Sequence, residues 1–367
     1  MAKRSMRSLS DLPEGMITEI LIRLPEKSVL ICKSVCKPWL STISNPGFMK
    51  YQIQHAMNNP NTLLVIKNYA LGDEKRGTFT TLDMFPKVKS LVMPSMFSQF
   101  PVVGYSNGIV CLENISNYAI YLWNPTIRQY KKIDAPFRCR FNYKLGFGFD
   151  SISNDYKVFG IVYETWTAVI PLVFVYSANA DSWRKFQDPV LEKLNPIYKD
   201  CHVVAKGVLY FYNRNELISF DLHKEVFGLV PFPSLDPRKM SHIFDYEGSV
   251  ALFFHSDGNG GSDLWTLDDA SHQVSWSKKC NINLMTEEYG CSIMPHCYLG
   301  EGQFWGLSLV DVNVPVEDSI FHYILYNSDK RKAKGYGLRE EGVLATLQYT
   351  DTRVTFDGFQ PLEENAN

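Results

Sequence analysis

Two pairs of adjacent carboxylates are the first residues in this chain of 367 whose types suit acid–base chemistry. They are Asp268-Asp269 and Glu287-Glu288. Hydrolysis of a glycosidic bond uses two carboxyl groups that lie roughly 5 to 9.5 Å apart around that bond. Adjacent residues of a strand or loop point in different directions, so neither pair needs to form such a site. A glycosidase remains an alternative interpretation of the chain, but these pairs do not favour it.

Metal-binding side chains come close together in the sequence at Cys291, His296 and Cys297. A structural zinc site needs four ligands, and the spacing of these three matches no standard zinc module. The eight cysteines of the chain are otherwise scattered and form no C-x-x-C pair. In a reducing compartment, scattered cysteines in apolar segments are best interpreted as small buried hydrophobes. We therefore predict no metal and no cofactor.

Sequence motifs do not indicate another enzyme class. We identify no phosphate-binding loop, no H-E-x-x-H motif and no cysteine–histidine pair at a recognisable spacing. Five tryptophans suggest a carbohydrate- or peptide-stacking site, as in a lectin: Trp123, Trp183, Trp265, Trp276 and Trp305. Aromatic residues that recur along a chain more often fill its core. We expect a non-catalytic protein whose tryptophans are structural.

Composition and charge describe a packed globular protein, since 45% of the residues are hydrophobic, 14% are aromatic and 21% are charged. The net charge of −2 does not support binding to nucleic acid or to an anionic membrane. Lys3, Arg4 and Arg7 make residues 1–10 a basic tail, which we expect to be flexible. No apolar run approaches the ~20 residues that span a bilayer, and the N-terminus lacks a secretory signal. We expect a cytoplasmic and/or nuclear location.

Helical periodicity is confined to residues 11–50. Ile17, Ile20, Leu21 and Leu24 recur at helical spacing and form one apolar stripe. Pro13 suits a first helical position, because its missing N–H would be unpaired there, and Pro25 ends the same helix.

A second apolar set continues this segment: Val29, Leu30, Cys32, Val35, Cys36, Trp39, Leu40 and Ile43. Pro38 interrupts it, which predicts one helix ending near Lys37 and another beginning. Three short helices in about forty residues bury too little surface to be comfortably stable alone. We therefore expect part of their apolar surface to bind a partner.

An ordered series of residues identifies the kind of helical segment. Two leucine–proline pairs, Leu12-Pro13 and Leu24-Pro25, are followed by Val35-Cys36-Lys37 and then by Trp39. This series resembles the F-box in the form common in plant proteins. F-boxes bind the Skp adaptor of cullin–RING ubiquitin ligases, so the resemblance implies a set of adaptor-binding residues. They are Leu12, Pro13, Ile17, Ile20, Leu24, Pro25, Ser28, Leu30, Val35, Cys36 and Trp39.

One position departs from the F-box pattern, because relatives usually carry arginine where this chain has Ile31. We expect this change to alter the surface charge without removing the fold. The alternative to an F-box is an ordinary three-helix cap that packs on the rest of the chain, with Cys36 and Trp39 in its core.

A loose repeat begins near residue 61. Each copy is a short apolar strand that ends in a small polar turn residue, and the copies are 41 to 59 residues apart. The copies are 79–83, 120–124, 173–177, 217–221, 264–268 and 323–327. Further strands between the copies are predicted in 107–112, 156–162, 207–211 and 302–307. Such spacing is typical of a β-propeller, whose blades stack face to face in a ring. We predict an irregular six-bladed ring.

Specific segments within these repeats resemble the plant F-box-associated domain, which is related to kelch-type propellers. They are the Gly104–Leu112 strand, Trp123-Asn124-Pro125, Gly146-Phe147-Gly148-Phe149-Asp150, Asp155-Tyr156-Lys157-Val158 and Asp181-Ser182-Trp183-Arg184. Plant relatives of this kind include the S-locus F-box group and defence regulators. True kelch repeats have a double glycine in every blade, which this sequence does not, so regular kelch blades are not implied.

Together these observations divide the chain into a small three-helix segment and a mostly β domain, an α+β organisation. The predicted units are a basic tail (1–10), the F-box (11–50), a linker (51–60), the β domain (61–355) and a C-terminal tail (356–367). Substrate-binding loops are expected at one end of the ring. The candidate loops are 136–143, 164–171, 187–200, 234–243, 256–263, 285–297 and 312–319.

The resemblance implies the substrate-recognition subunit of an SCF-type (Skp–cullin–F-box) ubiquitin ligase. The F-box would bind the Skp adaptor, and through it the cullin and RING subunits. The β domain would bind the protein that is ubiquitinated. Two alternatives remain from the sequence: a propeller glycosidase or lectin with a helical cap, and an F-box protein that acts as a non-degradative interaction module.

Overall fold

The computed structural model describes most of the chain, in the ranges that follow. They are residues 12–24, 26–45, 47–48, 51, 62–67, 78–83, 88–92, 94–97, 100–138, 143–163, 170–193, 202–212, 217–236, 239–255, 261–268, 274–283, 293–309, 321–336, 343–349, 352 and 354–362.

The N-terminal described segment contains three short helices, α1 (Glu14–Ile22), α2 (Glu26–Cys32) and α3 (Lys37–Ser44). Pro13 lies one residue before α1, and its carbonyl accepts bonds from the N–H groups of Met16 and Ile17. The predicted end of the second helix near Lys37 is wrong, because α2 ends at Cys32 and a turn follows. Pro38 lies in the first turn of α3, where its missing N–H has no helical partner to lose.

The small helical core consists of five buried side chains, with four half-buried ones around them. The buried residues are Leu21, Ile22, Val29, Ile43 and Phe48. The half-buried residues are Ile17, Leu24, Cys32 and Trp39.

The remainder is built from antiparallel strands. In chain order they are β1 (Thr62–Lys67), β2 (Thr78–Asp83), β3 (Val88–Val92), β4 (Val102–Ser106), β5 (Ile109–Asn114), β6 (Ala119–Asn124), β7 (Gln129–Asp134), β8 (Tyr143–Asp150), β9 (Asp155–Val162), β10 (Leu172–Ser177), β11 (Ser182–Phe186) and β12 (His202–Ala205). They continue with β13 (Val208–Tyr212), β14 (Leu217–Asp221), β15 (Val226–Val230), β16 (Met240–Tyr246), β17 (Ser249–His255), β18 (Gly261–Asp268), β19 (Ser275–Asn283), β20 (Ile293–Gly300), β21 (Gln303–Leu309), β22 (Phe321–Asn327), β23 (Lys332–Tyr336), β24 (Val343–Tyr349) and β25 (Gln360–Pro361).

These strands form sheets that follow one another along the chain. Sheet 1 has the order β24-β1-β2-β3, and sheet 2 has the order β4-β5-β6-β7-β25. Sheets 3, 4, 5 and 6 are the meanders β8–β11, β12–β15, β16–β19 and β20–β23. Contacts between their first strands connect neighbouring sheets, from β4 to β8, from β12 to β16, from β16 to β20, and from β20 through β24 to β4. A helical segment followed by a β-propeller is therefore confirmed.

The predicted number of blades needs a correction. Within the described residues, five sheets have the four strands of a regular blade, one fewer than the six blades predicted. Sheet 2 differs because β25, near the C-terminus, pairs with β7 as a fifth strand.

The repeat found in the sequence corresponds to one position in every sheet. Its six copies lie on β2, β6, β10, β14, β18 and β22, each the third strand from the inner edge of its sheet. The additional predicted segments lie on β5, β9, β13 and β21, each of which pairs directly with a repeat strand. The repeat is therefore a structural unit of the propeller.

Apolar residues are buried between neighbouring sheets. One cluster joins sheets 2 and 3, a second joins sheets 3 and 4, a third joins sheets 4 and 5, and a fourth joins sheets 5 and 6. Phe220 of β14 is fully buried between sheets 3 and 4, where its ring lies 5.0 Å from that of Phe159. These side chains stabilise the propeller by removing apolar surface from water.

The Gly-Phe-Gly-Phe-Asp motif forms β8 and allows this close packing. A Cβ on Gly146 would lie 2.0 Å from the Phe159 ring of the paired strand β9. A Cβ on Gly148 would lie 2.6 Å from a methyl group of Leu222 in sheet 4. The two glycines are therefore needed for contacts within and between sheets.

The predicted C-terminal tail from residue 356 is wrong for residues 356–362. Phe356 and Phe359 pack against the core between sheets 2 and 3, and Leu362 packs against aromatic residues of sheet 2. The Asn124 side-chain amide donates hydrogen bonds to the carbonyls of Thr352 and Val354, at 3.0 and 2.9 Å. The asparagine of the Trp-Asn-Pro motif thus holds the returning chain against sheet 2.

Candidate functional site

The predicted adaptor-binding residues divide into three groups. Pro13, Ile20, Val35 and Cys36 are exposed, whereas Leu12, Ile17, Leu24, Ser28 and Trp39 are half-buried. Pro25 and the side chain of Leu30 lie outside the described residues. Ile17, Leu24 and Trp39 pack against the small helical core, so they brace the helices.

The exposed apolar surface of the helices is larger than the sequence interpretation indicated. Met16, Ile31 and Leu40 are exposed together with the predicted Ile20 and Val35, and their exposed fractions range from 43% to 68%. Helical spacing could have found Met16, which lies four residues before Ile20, and Leu40 already belongs to the second apolar set of the sequence. Ile31, treated as a change of surface charge, is the most exposed of the five.

Charged side chains are exposed on the same helices, among them Glu14, Glu19, Arg23 and Lys37. The Glu19 carboxylate and the Arg23 guanidinium form an exposed ion pair at 2.9 Å on α1. Such exposed pairs stabilise a helix by only a few tenths of a kcal/mol. The helical segment therefore has a small interior and presents five large apolar side chains to solvent.

Topology assigns the connections of the propeller to two faces. In an antiparallel meander, the turn between the first two strands and the turn between the last two open at the same end of the sheet. Links between the second and third strands, and links to the next sheet, leave from the other end. We call these ends the tight-turn face and the long-connection face.

All seven loops predicted to bind substrate leave from the long-connection face. Loops 136–143, 187–200, 234–243 and 285–297 link successive sheets, and loops 164–171, 256–263 and 312–319 link second and third strands. Parts of these loops lie outside the described residues, but the strand ends on which they are built are described. The sequence alone did not indicate that these loops share a face.

The tight-turn face is closed by hydrogen bonds between neighbouring sheets. The Tyr156 hydroxyl donates to the carbonyl of Asn107 at 3.0 Å, which joins sheet 3 to sheet 2. The Tyr298 hydroxyl contacts the Glu247 carboxylate at 3.4 Å, which joins sheet 6 to sheet 5.

A buried charged group joins sheets 3 and 4 on the same face. The Lys157 ammonium donates to the Leu222 carbonyl at 2.5 Å and to the Glu225 carboxylate at 2.8 Å. It also lies 3.5 Å from the Asp150 carboxylate. Asp150 and Lys157 belong to two of the segments that resemble the F-box-associated domain, Gly146-Phe147-Gly148-Phe149-Asp150 and Asp155-Tyr156-Lys157-Val158. Their role is to connect blades, because both ions are buried and paired.

Burial alone would raise the pKa of the Asp150 carboxyl, but hydrogen bonds to its ionised form outweigh that effect. The donors are the Ser153 hydroxyl, the His223 ring and the backbone N–H groups of Ile152 and Ser153. Together they lower the pKa of Asp150 to about 2. The carboxylate therefore stays charged through the physiological range.

The tryptophans occupy structural positions. Trp123 and Trp305 are buried, and Trp265 packs against the core between sheets 4 and 5. The indole N–H groups of Trp183 and Trp276 donate to carbonyls of the preceding sheet region, Asp134 at 3.1 Å and Pro231 at 2.7 Å. These contacts give no support to a carbohydrate-stacking surface.

Residues Gly104–Gly108 match the G-x-S-x-G sequence pattern of a nucleophile elbow. An elbow requires a turn from a strand into a helix. Here Ser106 ends β4, and the chain turns directly into strand β5. This segment is therefore a β-hairpin.

The other candidate chemical groups are not assembled into a site by the described residues. Asp268 accepts a hydrogen bond from the Ser277 hydroxyl, whereas Asp269, Glu287 and Glu288 lie outside the described residues. Burial raises the pKa of the Cys297 thiol to about 12, and Cys291 also lies outside the described residues. Within the part of the chain that is described, no three acidic, histidine or cysteine side chains cluster as metal ligands. No described helix is long and apolar enough to cross a membrane.

Comparison with known proteins agrees with this two-part architecture. The sequence profile of the F-box domain matches residues 9–51, and that of the F-box associated beta propeller domain matches residues 73–339. The F-box/kelch-repeat protein At3g23880 of Arabidopsis thaliana is 26% identical over 314 residues, which cover 77% of this chain and 83% of the relative. A second A. thaliana protein named as an F-box protein, At3g10240, is 27% identical over 304 residues and covers 76% and 73%. The chain belongs to the plant family of F-box proteins that carry an F-box-associated β-propeller domain.

Proposed function

We propose that this chain is the substrate-recognition subunit of an SCF-type ubiquitin ligase. The observation that carries the proposal is the exposed apolar surface of α1, α2 and α3. Among the described residues of this segment, five large apolar side chains lie outside a core of five buried residues. Burying such a surface against an adaptor would give the helical segment the apolar contacts that its own size cannot supply.

The chain itself carries out no reaction in this proposal. The Skp adaptor binds the helices, and the cullin and RING subunits join through the adaptor. A charged ubiquitin-conjugating enzyme then lies near the substrate, whose lysines react because their effective concentration is high. A cytoplasmic and/or nuclear location belongs to this proposal, since those compartments hold such ligases.

We further propose that substrate binds at the long-connection face of the propeller. Rigid strands hold the connections there, and changes in those connections cost little stability. The tight turns on the opposite face are occupied by bonds between neighbouring sheets.

Adaptor binding tests the first part of the proposal. We would compare the native chain with the Ile20→Asp/Val35→Asp variant in a binding assay with purified plant Skp adaptor. Both side chains are exposed, so the variant should keep its core, whereas a charge at each position should weaken binding by about a hundredfold or more. Ile115→Asp, an exposed isoleucine on the propeller, is the matched control.

Two outcomes would contradict the proposal. One is a folded native chain that does not bind the adaptor, and the other is a double variant that binds as tightly as the native chain. Binding that is lost only in the double variant supports it. The abundance of captured partners after removal of the chain then separates a degradative receptor from a non-degradative interaction module.

A further inference from the structure

The turn between β8 and β9 presents an exposed isoleucine on a rigid support. Ile152, at its tip, is 73% exposed, the highest value among the large apolar side chains of the described residues. The Asp150 carboxylate fixes this turn by accepting the Ile152 N–H at 2.9 Å, the Ser153 N–H at 3.3 Å and the Ser153 hydroxyl at 2.5 Å. A fixed turn loses little conformational entropy when its side chain binds a partner.

The charges beside Ile152 are balanced in number but not in exposure: three carboxylates, of Asp150, Asp221 and Glu225, face the cations of Lys157, Arg184 and Lys224, and the Asp221 carboxylate is 26% exposed. The carboxylates of Asp150 and Glu225 are 2% and 11% exposed, and both contact buried Lys157. The basic side chains around them are open to solvent: Arg184 is 59% exposed, Lys224 is 73% exposed and His223 is 44% exposed. The surface is therefore basic although the whole group is close to neutral.

These basic groups are also positioned. The His223 ring lies 3.0 Å from the Asp150 carboxylate, which links it to the Ile152 turn. The Arg184 guanidinium contacts Glu225 and lies 5.7 Å above the centre of the Phe186 ring. Lys224 has a long contact of 3.6 Å with Asp221. A further carboxylate could approach these groups without breaking the buried Lys157 contacts.

A second exposed apolar side chain lies in sheet 4. Val226 follows Glu225 directly and is exposed at the start of β15. We define the Ile152 patch as Ile152, Arg184, His223, Lys224 and Val226. It lies across sheets 3 and 4 on the tight-turn face, opposite the face that we assign to substrate.

We propose that the Ile152 patch binds an acidic, extended segment of a partner protein, with an apolar side chain of that segment against Ile152 and Val226. The charge of the patch favours carboxylates in the partner, and its small apolar area suits one or two apolar side chains. This surface goes beyond the proposed function and does not depend on adaptor binding.

A direct test uses a fluorescent twelve-residue polyglutamate peptide with one central leucine. We would measure its binding to the full chain by fluorescence anisotropy at about 0.02 M and about 0.15 M salt. We expect binding that weakens at the higher salt, because exposed charge pairs are screened. A peptide with glutamate in place of the leucine should bind about tenfold more weakly.

Three variants locate the contact. Ile152→Asp should weaken peptide binding by about tenfold or more, and His223→Ala/Lys224→Ala should weaken it and reduce its salt dependence. Ile115→Asp is the control, because Ile115 is an exposed isoleucine at the long-connection face. It should leave peptide binding unchanged.

The proposal is overturned if the native chain does not bind the peptide, if Ile152→Asp binds it as the native chain does, or if Ile115→Asp weakens it equally. The unfolding midpoint of each variant, measured in parallel, shows whether its fold is retained. Adaptor binding by the same preparations distinguishes failure of this proposal from failure of the proposed function.

Discussion

The helical segment and the propeller use apolar residues in opposite ways. The helices bury five side chains and expose five others of similar size. The propeller buries its apolar residues in clusters between sheets and joins the sheets at one face through polar groups such as Lys157 and Tyr156. The difference shows that the propeller buries its apolar residues within itself, whereas the helical segment leaves apolar side chains exposed that the proposed function would bury against an adaptor. Predictions on each region should therefore separate stability from adaptor binding.

The largest expected effect is on the propeller alone. Phe220→Ala removes a fully buried ring between sheets 3 and 4 and should lower the free energy of unfolding by about 3–5 kcal/mol. The midpoint of urea unfolding, followed by tryptophan fluorescence, measures this loss. Adaptor binding at low temperature should be unchanged. A parallel loss of adaptor affinity would contradict the separation of the two regions.

A smaller decrease in the free energy of unfolding is expected where the C-terminal segment packs against sheet 2. Asn124→Ala removes two hydrogen bonds to the carbonyls of Thr352 and Val354, as well as one from the Thr126 N–H. Because Asn124 is buried, the free energy of unfolding should fall by about 2 kcal/mol. Proteolysis near residue 352 should also become faster. Asn117→Ala is the control: it lies at an exposed turn of the same sheet, removes a single hydrogen bond from the Ala119 N–H, and should lower the free energy of unfolding by less.

The Asp150 carboxylate predicts a pH dependence that belongs to the propeller. Its pKa is about 2 in the folded protein, below the ordinary value of 3.8. A carboxyl group with a lowered folded pKa stabilises the protein above its unfolded pKa, and this stabilisation is lost as the pH falls from about 4 towards 2. Its contribution should be on the order of 2 to 3 kcal/mol.

Comparing unfolding midpoints of the native chain and Asp150→Asn between pH 6 and pH 2.5 measures this contribution. The difference between the two proteins should shrink as the pH falls. A constant difference over that range would show that the charge of Asp150 is not the cause.

The smallest effect is expected at Ile31. Ile31→Arg places the residue that the F-box resemblance implies at an exposed position of α2. The free energy of unfolding should therefore change by less than about 0.5 kcal/mol. If Ile31 belongs to the adaptor-binding surface, adaptor affinity should change by a few-fold. Calorimetric titration with the adaptor measures this affinity. An unchanged affinity would remove Ile31 from that surface and sharpen its boundary.

Much of the architecture was readable from the sequence because its signals are local. Pro13 lies directly before α1 and Pro38 in the first turn of α3, and the repeated strand with a polar turn residue marks the third strand of each sheet. Gly146 and Gly148 also belong to a motif that could be recognised, although its reason, the close approach of Phe159 and Leu222, appears only in three dimensions.

The parts that were missed depend on contacts between distant residues. The placement of residues 356–362 against sheet 2 depends on Asn124 and Lys131, more than two hundred residues earlier. Exposure of Met16 and Ile31 depends on which helix faces form the small core. The Ile152 patch depends on the burial of Asp150 and Glu225 beside bases that remain exposed. No local pattern contains this information.

The position of β24 has a consequence for the order in which the protein is synthesised. The first sheet contains β1, β2 and β3, but its inner strand is β24, which pairs with β1 near the end of the chain. On the ribosome the helices emerge before the strands, and the ring closes only after β24 has been translated. A transcript that stops before β24 would therefore yield a product with the three helices and an unfinished ring. We expect such a product to occupy the adaptor without presenting a substrate, and so to inhibit the full-length protein.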